Sequence, residues 1–195
     1  MRPNSLTATM AESRSAQRAL KVLAVLLFAV LTAVGARAAV PLPGTAVPVT
    51  LQTLFVLLAG ALLGPTLGAA SQMAYLTAGI AGLPVFAAGA GPAYLFGPTG
   101  GYLLAFPAAA AAAGWVGRRG PRAGLPAYAW LAGGLFLASL VVFAGGVAQL
   151  AVLTGDTERA LQLGFMPFLA GDAVKVLIAA LVAARLRKGV ASALR

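Results

Sequence analysis

Long apolar runs, broken by short clusters of Pro, Gly and basic residues, set the pattern along this chain. A bilayer core about 30 Å thick takes roughly 20 mostly apolar helical residues, within a range of about 17–25. By that measure the pattern predicts six membrane-spanning helices. The first covers 19–40 and stops at the turn-forming Pro41-Leu42-Pro43-Gly44. The second, 50–63, is short and closed by Gly64-Pro65, and the third, 67–83, ends before Pro84. A loop rich in Gly, Pro and Ala follows, from Val85 to Gly97. The fourth segment starts at Pro98 and ends before Arg118-Arg119; the fifth covers 126–153 and the sixth 165–186. There is no strand-like alternation and no fixed internal repeat. The expected organisation is a polar, disordered cytoplasmic tail over 1–17, a six-helix membrane domain over 18–188, and a cytoplasmic C-terminal tail over 189–195.

Composition agrees with lipid as the solvent. Of 195 residues, 61% are hydrophobic and 9% charged, and the mean hydropathy is +0.93. An ordinary soluble domain is about 45–50% apolar and about 25% charged. A soluble fold of this size lacks the interior to hide so much apolar surface. The segments are rich in Ala and Gly, which suits close backbone packing between helices in a membrane.

A net charge of +10 would by itself suggest nucleic acid or an acidic surface. Its placement gives a simpler account. With the N-terminus inside, Arg2, Arg14, Arg18 and Lys21 are cytoplasmic, as are Arg118, Arg119 and Arg122 after the fourth segment. Arg185, Arg187, Lys188 and Arg195 follow the sixth. Only Arg37 and Arg159 fall outside, and Lys175 lies within a helix. This is a positive-inside distribution, so a nucleic-acid partner is not required.

The chemistry is narrowed by what is missing. With no His and no Cys there are no thiolate nucleophiles, imidazole bases, disulfides or common zinc sites. No lysine follows a glycine-rich stretch in the Walker pattern, so the chain has no P-loop for ATP. Glu12, Asp156, Glu158 and Asp172 are the only side-chain carboxylates, far apart except for the 156/158 pair, and with one of them clearly within a membrane segment a catalytic constellation is missing. The chain reads as a binder, not an enzyme, with no metal site and no cofactor.

Four features remain as candidates for function. Gly171-Asp172-Ala173-Val174-Lys175 lies inside the sixth segment, and a charge at mid-membrane costs about 2.5–3.5 kcal/mol on insertion scales. Asp172 and Lys175 share a helix face at i,i+3, about 10 and 15 Å deep from the outer end. They form either an ion pair locking helices or the polar floor of a ligand site. Pro48-Val49-Thr50-Leu51-Gln52 enters the second segment, and Gln52 offers an amide donor and acceptor at a similar depth, unless Thr50 is only a helix cap. Gly97-Pro98-Thr99-Gly100-Gly101-Tyr102 opens the fourth segment, where Gly100 and Gly101 permit close approach of a ligand or a helix. The nearby Phe86, Tyr94 and Phe96 serve either to cover an apolar ring or as interfacial anchors. Ala29 and Ala33 are a small-xxx-small pair in the first segment, a spacing that so Ala-rich a chain produces by composition alone.

Together these residues resemble the BioY family, the biotin-specific substrate-binding (S) component of energy-coupling-factor (ECF) vitamin transporters. The resemblance rests on VPVTLQTLFVLLAGALLGP at 47–65, GLPVF at 82–86, GPTGGYLLAF at 97–106 and GDAVK at 171–175, and runs from about residue 20 to 187. It implies an all-α, six-helix S-component fold with both termini cytoplasmic, in the bacterial plasma (inner) membrane, and a biotin pocket open to the outer side. It further implies ligand contacts at Asp172, Lys175 and Gln52, with Phe86, Tyr94, Gly100 and Gly101 around them, and a lid near 41–49. The Ala29/Ala33 face would dock on a membrane-embedded coupling protein driven by two ATPases; self-association into a homo-oligomer stays open. An S component for another small vitamin, and a membrane scaffold with a structural Asp172–Lys175 pair, are the alternatives. Arg14, Arg18, Lys21, the apolar run to Gly35 and Ala36-Arg37-Ala38 also resemble a cleavable signal peptide. The six-span parse is preferred because the family resemblance uses this helix.

Overall fold

A computed structural model describes residues 5–121 and 123–194, with side chains from Arg14 onward. Seven α-helices follow in order: α1 Ser5–Arg37, α2 Gln52–Leu63, α3 Pro65–Ile80, α4 Gly100–Arg119, α5 Gly124–Thr154, α6 Thr157–Gly164 and α7 Leu169–Ala193. Short 3-10 turns occupy Pro92–Phe96 and Met166–Phe168. Apart from two isolated antiparallel bridges, the described residues form no β-structure.

The six apolar segments become α1 to α5 and α7. Arg2, Arg122 and Arg195 of the basic set lie outside the described residues. Disorder was expected only of the N-terminal tail. Residues 5–17 continue α1 as regular helix, and α7 carries on through 189–193. Extending a formed helix adds one hydrogen bond per residue fixed, without a new nucleation cost. Ala11, Glu12, Arg14, Ala16 and Gln17 are all adequate helix formers. The short α6 was not anticipated. It starts at Asp156, whose Oδ1 accepts from the backbone N–H groups of Glu158 (2.9 Å) and Arg159 (3.1 Å), a local N-cap.

Four helical stretches among the described residues are long and apolar enough to cross a membrane: Arg14–Arg37, Gly100–Arg119, Gly124–Thr154 and Thr157–Ala193, the last including α6. At 12 and 16 residues, α2 and α3 reach only about 18 and 24 Å. They form a hairpin about Gly64, whose φ of +85° suits glycine, with Pro65 opening α3. The legs touch closely, since a Cβ on Gly68 would come within 2.7 Å of the Gly60 Cα.

Short as it is, α2 is the centre of the bundle. It packs on α1, α3, α4, α5 and α7, and every residue from Val56 to Leu63 is buried. Gly60 has α4 against its backbone at Ala110, leaving no room for a side chain. Helix α4 in turn packs along α5. Phe28, Thr32 and Ala36 of α1 are buried in the same assembly, so the first helix is part of the fold.

The two ends of the bundle differ. One gathers Lys21, Arg118, Arg187 and Lys188. The other is covered by two loops. In the first, Val40 and Val49 exchange backbone hydrogen bonds of 2.8 and 2.9 Å, and Val47 is buried. In the second, Phe86 is fully buried against Gly79 of α3, and its backbone pairs with Gly89.

Candidate ligand site

Beneath these loops lies a cleft of about 60 Å³, room for on the order of four waters. Its walls are mostly apolar and aromatic: Phe106 of α4, Val142 and Phe143 of α5, Phe168 before α7, and Tyr94 of the second loop. Polar side chains come from Thr50, Gln52, Thr53 and Lys175, with Thr99 at the start of α4. An apolar cleft with a few convergent polar groups is the usual form of a small-molecule site.

Lys175 is 8% exposed and its ammonium is well supplied with acceptors. It donates to Thr53 Oγ1 at 2.6 Å and to the Thr50 carbonyl at 3.4 Å, and lies 3.6 Å from Asp172 Oδ1. The i,i+3 spacing on α7 makes the pair, as the sequence implied. Asp172 has no exposed surface, and neither carboxylate oxygen has a hydrogen-bond partner. Burying two charges costs several kcal/mol per ion before their attraction is counted. Only the charge pairing, not hydrogen bonding, offsets this for Asp172.

Gln52 is held by a chain of three side chains. Its Nε2 donates to the Tyr75 hydroxyl at 2.7 Å, and its Oε1 accepts from Thr50 Oγ1 at 3.0 Å. Tyr75 donates onward to the Val85 carbonyl at 3.2 Å, tying α2 and α3 to the covering loop. The Tyr75 ring meets Phe86 edge-on at 5.6 Å, and Phe86 stacks on Tyr94 at 5.0 Å.

Of the residues expected at the site, the cleft brings together Gln52, Tyr94 and Lys175. Four others stand outside its lining. Asp172 lies behind Lys175, and Phe86 lies behind Tyr94 as the prop of that ring. Gly100 and Gly101 face protein, not the cleft: Gly100 abuts the Leu95 carbonyl and Gly101 the Gly145 carbonyl of α5. Glycine is needed there because two backbones meet. Phe96 is 78% exposed and covers nothing. Ala29 and Ala33 are half-buried and pack against the chain's own core. The fully open face of α1 is instead formed by Leu23, Leu26, Leu27, Val30 and Val34, with the two alanines on its flank.

The structure adds residues that the sequence reading passed over. Thr53 accepts from Lys175, and Thr50 and Thr53 at i,i+3 were a readable hint of a polar stripe. Tyr75 orients Gln52 from mid-α3, with no local signal to mark it. Gln149 of α5 fastens the Gly97 loop by donating to the carbonyls of Leu95 (2.9 Å) and Gly97 (2.6 Å). Tyr102 donates to the Gly164 carbonyl at 2.6 Å, joining α4 to α6.

Apolar helices of spanning length around a cleft with one buried ion pair define a multi-pass membrane protein with a small-molecule site. The BioY family model matches residues 7–192, and the chain belongs to the BioY family. It is 42% identical over 171 residues to a probable biotin transporter BioY of Pyrococcus horikoshii, covering 87% of this chain and 98% of that one. It is 39% identical to the biotin transporter BioY of Thermotoga maritima, covering 83% and 92%. Among solved structures, the S-component for biotin from an ECF-type ABC transporter superposes with a TM-score of 0.77 over 88% of this chain and 93% of that one. At 24% sequence identity this last likeness speaks for the fold alone.

Proposed function

We propose that this chain captures biotin at the loop-covered end and, with an ECF coupling protein and two ATPases, takes it into the cell. The observation that carries the reading is the Asp172–Lys175 pair beside an aromatic cleft in a member of this family. Its relatives are named as biotin transporters over nearly their whole length.

Biotin offers a ureido ring with two N–H donors and a strong carbonyl acceptor, an apolar thiophane ring and a carboxylate-bearing chain. In this reading Lys175 donates to the ureido carbonyl, and the unpartnered oxygens of Asp172 accept its N–H groups. Asp172 is reached when the Lys175 side chain turns aside on its flexible stem. Gln52 meets a remaining polar atom, Tyr94 and Phe143 cover the thiophane, and the 41–49 loop acts as the lid. Phe86, Gly100 and Gly101 act through the residues they position.

Six spans follow if the α2–α3 hairpin reaches both faces, its short legs sheltered by the longer helices. Both termini then lie on the cytoplasmic side with the basic end, by the positive-inside rule, in the plasma membrane. The sequence carries no P-loop, and in this reading uptake draws on the partner ATPases. The coupling protein docks along α1 at the Ala29/Ala33 flank, where small residues adjoin the exposed Leu26 and Val30.

Isothermal titration of the detergent-purified chain with biotin is the test, alongside thermal shifts with a panel of other water-soluble vitamins. Saturable one-site binding to biotin is expected. A shift with a different vitamin and none with biotin would overturn the ligand while leaving an S component. No ligand at all, with Asp172→Asn harming only folding yield, would make the pair a structural lock.

A further inference from the structure

At the end opposite the cleft, α1 to α4 and α7 line a second cavity, of about 650 Å³. That is within the range of about 300–1,000 Å³ typical of ligand pockets. Four cations line it, Lys21, Arg118, Arg187 and Lys188, together with apolar side chains such as Leu63 and Leu67. Arg187 is buried and anchored, donating to the Gly117 carbonyl at 3.1 Å and to the Pro121 carbonyl. Arg118 lies across the α2–α3 turn, over Gly64, where any side chain would collide with its guanidinium.

Among the described side chains no carboxylate pairs with Lys21, Arg118 or Lys188. Asp172 is engaged with Lys175, and it lies fifteen residues, about 22 Å, before Arg187 along α7. Asp156 and Glu158 stand at the start of α6, at the other end of the bundle. A concave site lined by one sign of charge concentrates the opposite sign. Guanidinium forks match phosphate oxygens geometrically, and basic pockets between membrane helices take up anionic lipid headgroups. The apolar wall favours an amphiphile over a free anion, since Leu63 and Leu67 offer nothing to a bare phosphate.

We propose that this cavity binds one anionic phospholipid, its phosphate held by Arg118 and Lys188 and an acyl chain lying along Leu63 and Leu67. The site is independent of biotin capture. It depends only on the chain being embedded in a membrane.

The test is native mass spectrometry of the full chain, titrated with phosphatidylglycerol, with phosphatidylcholine, and with inorganic phosphate as competitor. One phosphatidylglycerol should be retained in preference to phosphatidylcholine. In Arg118→Gln/Lys188→Gln that retention should fall about tenfold, the scale of losing one or two charge-assisted contacts, with biotin affinity unchanged. The single variant Lys188→Gln, altering an exposed side chain, should show a smaller loss without any folding defect. Equal retention of the two lipids, or retention unaffected by the double variant, would overturn the proposal. So would full displacement by millimolar phosphate, which would leave a free-anion site. If the variant kept its lipid but no longer co-purified with the coupling protein, the cavity would be a protein-docking surface and the lipid assignment would fail.

Discussion

The two ends of this bundle carry charge in opposite ways. At the loop-covered end a single lysine is buried against a single carboxylate, beside a cleft of about 60 Å³. At the other end four cations surround a cavity about ten times larger, and no carboxylate among the described side chains pairs with Lys21, Arg118 or Lys188. The first arrangement is compensated and buried, so its energy is sensitive to every atom that joins or leaves. The second is open at its rim, where water and salt screen the charge. Small changes at the first end should therefore act on a ligand strongly and specifically. Changes at the second should act weakly, and on whatever anion the rim attracts.

The sharpest way to break this contrast is Lys175→Met. Removing one partner of a buried, hydrogen-bonded charge pair costs about 2–5 kcal/mol, so biotin affinity by titration calorimetry should fall at least thirtyfold. Affinity equal to that of the unaltered chain would remove Lys175 from the site. Next comes Asp172→Asn, which keeps the shape and removes the charge. A loss of about tenfold to a hundredfold is expected from a charged acceptor worth roughly 1.5–3 kcal/mol, with near-normal yield of folded protein. The reverse outcome, poor yield and intact affinity, favours the structural lock.

A third change tests packing instead of charge. Gly101→Val forces a side chain against the Gly145 carbonyl of α5. Overpacking of this kind typically costs about 1–3 kcal/mol, seen as a lowered melting temperature in detergent. If the melting temperature held but biotin binding vanished, Gly101 would be a ligand contact after all. The smallest effect is expected from Tyr75→Phe, which removes the hydroxyl that holds Gln52. One neutral hydrogen bond is worth about 0.5–1.5 kcal/mol, so affinity should weaken by only a few fold. At the other end, Arg118→Gln should leave biotin binding unmoved, and a comparable loss there would dissolve the distinction between the ends.

Much of the fold was legible in the sequence, because lipid imposes a coarse and repetitive code. The six apolar segments each became a helix, and Lys21, Arg118, Arg187 and Lys188 gathered at one end. The Asp172–Lys175 pair could be read from its i,i+3 spacing, since both partners sit on one helix and need no tertiary information to meet. Other positions depend on packing that the sequence does not name. Gly100 and Gly101 look equally suited to a ligand or a helix; the turn at Leu95 closes over Gly100, and α5 at Gly145 closes over Gly101. Ala29 and Ala33 belonged to a composition that makes such spacing common, and only the packing of α1 showed them half inside the core. Residues 5–17 were read as a tail from their polarity, yet polarity does not forbid extending a helix already begun.

What the sequence determined by itself was the solvent, the helical class, the spacing of charge along the chain and the pairing of Asp172 with Lys175. These depend on hydropathy summed over a helix length and on spacing within a single helix. The tertiary structure alone decided that Lys175 rather than Asp172 faces the cleft, that Thr53 and Tyr75 hold Lys175 and Gln52, and that the short α2 forms the centre. Each of these turns on which helix face meets which neighbour. A side chain's role in a bundle is fixed by atoms brought close from elsewhere in the chain, a juxtaposition that no local pattern encodes.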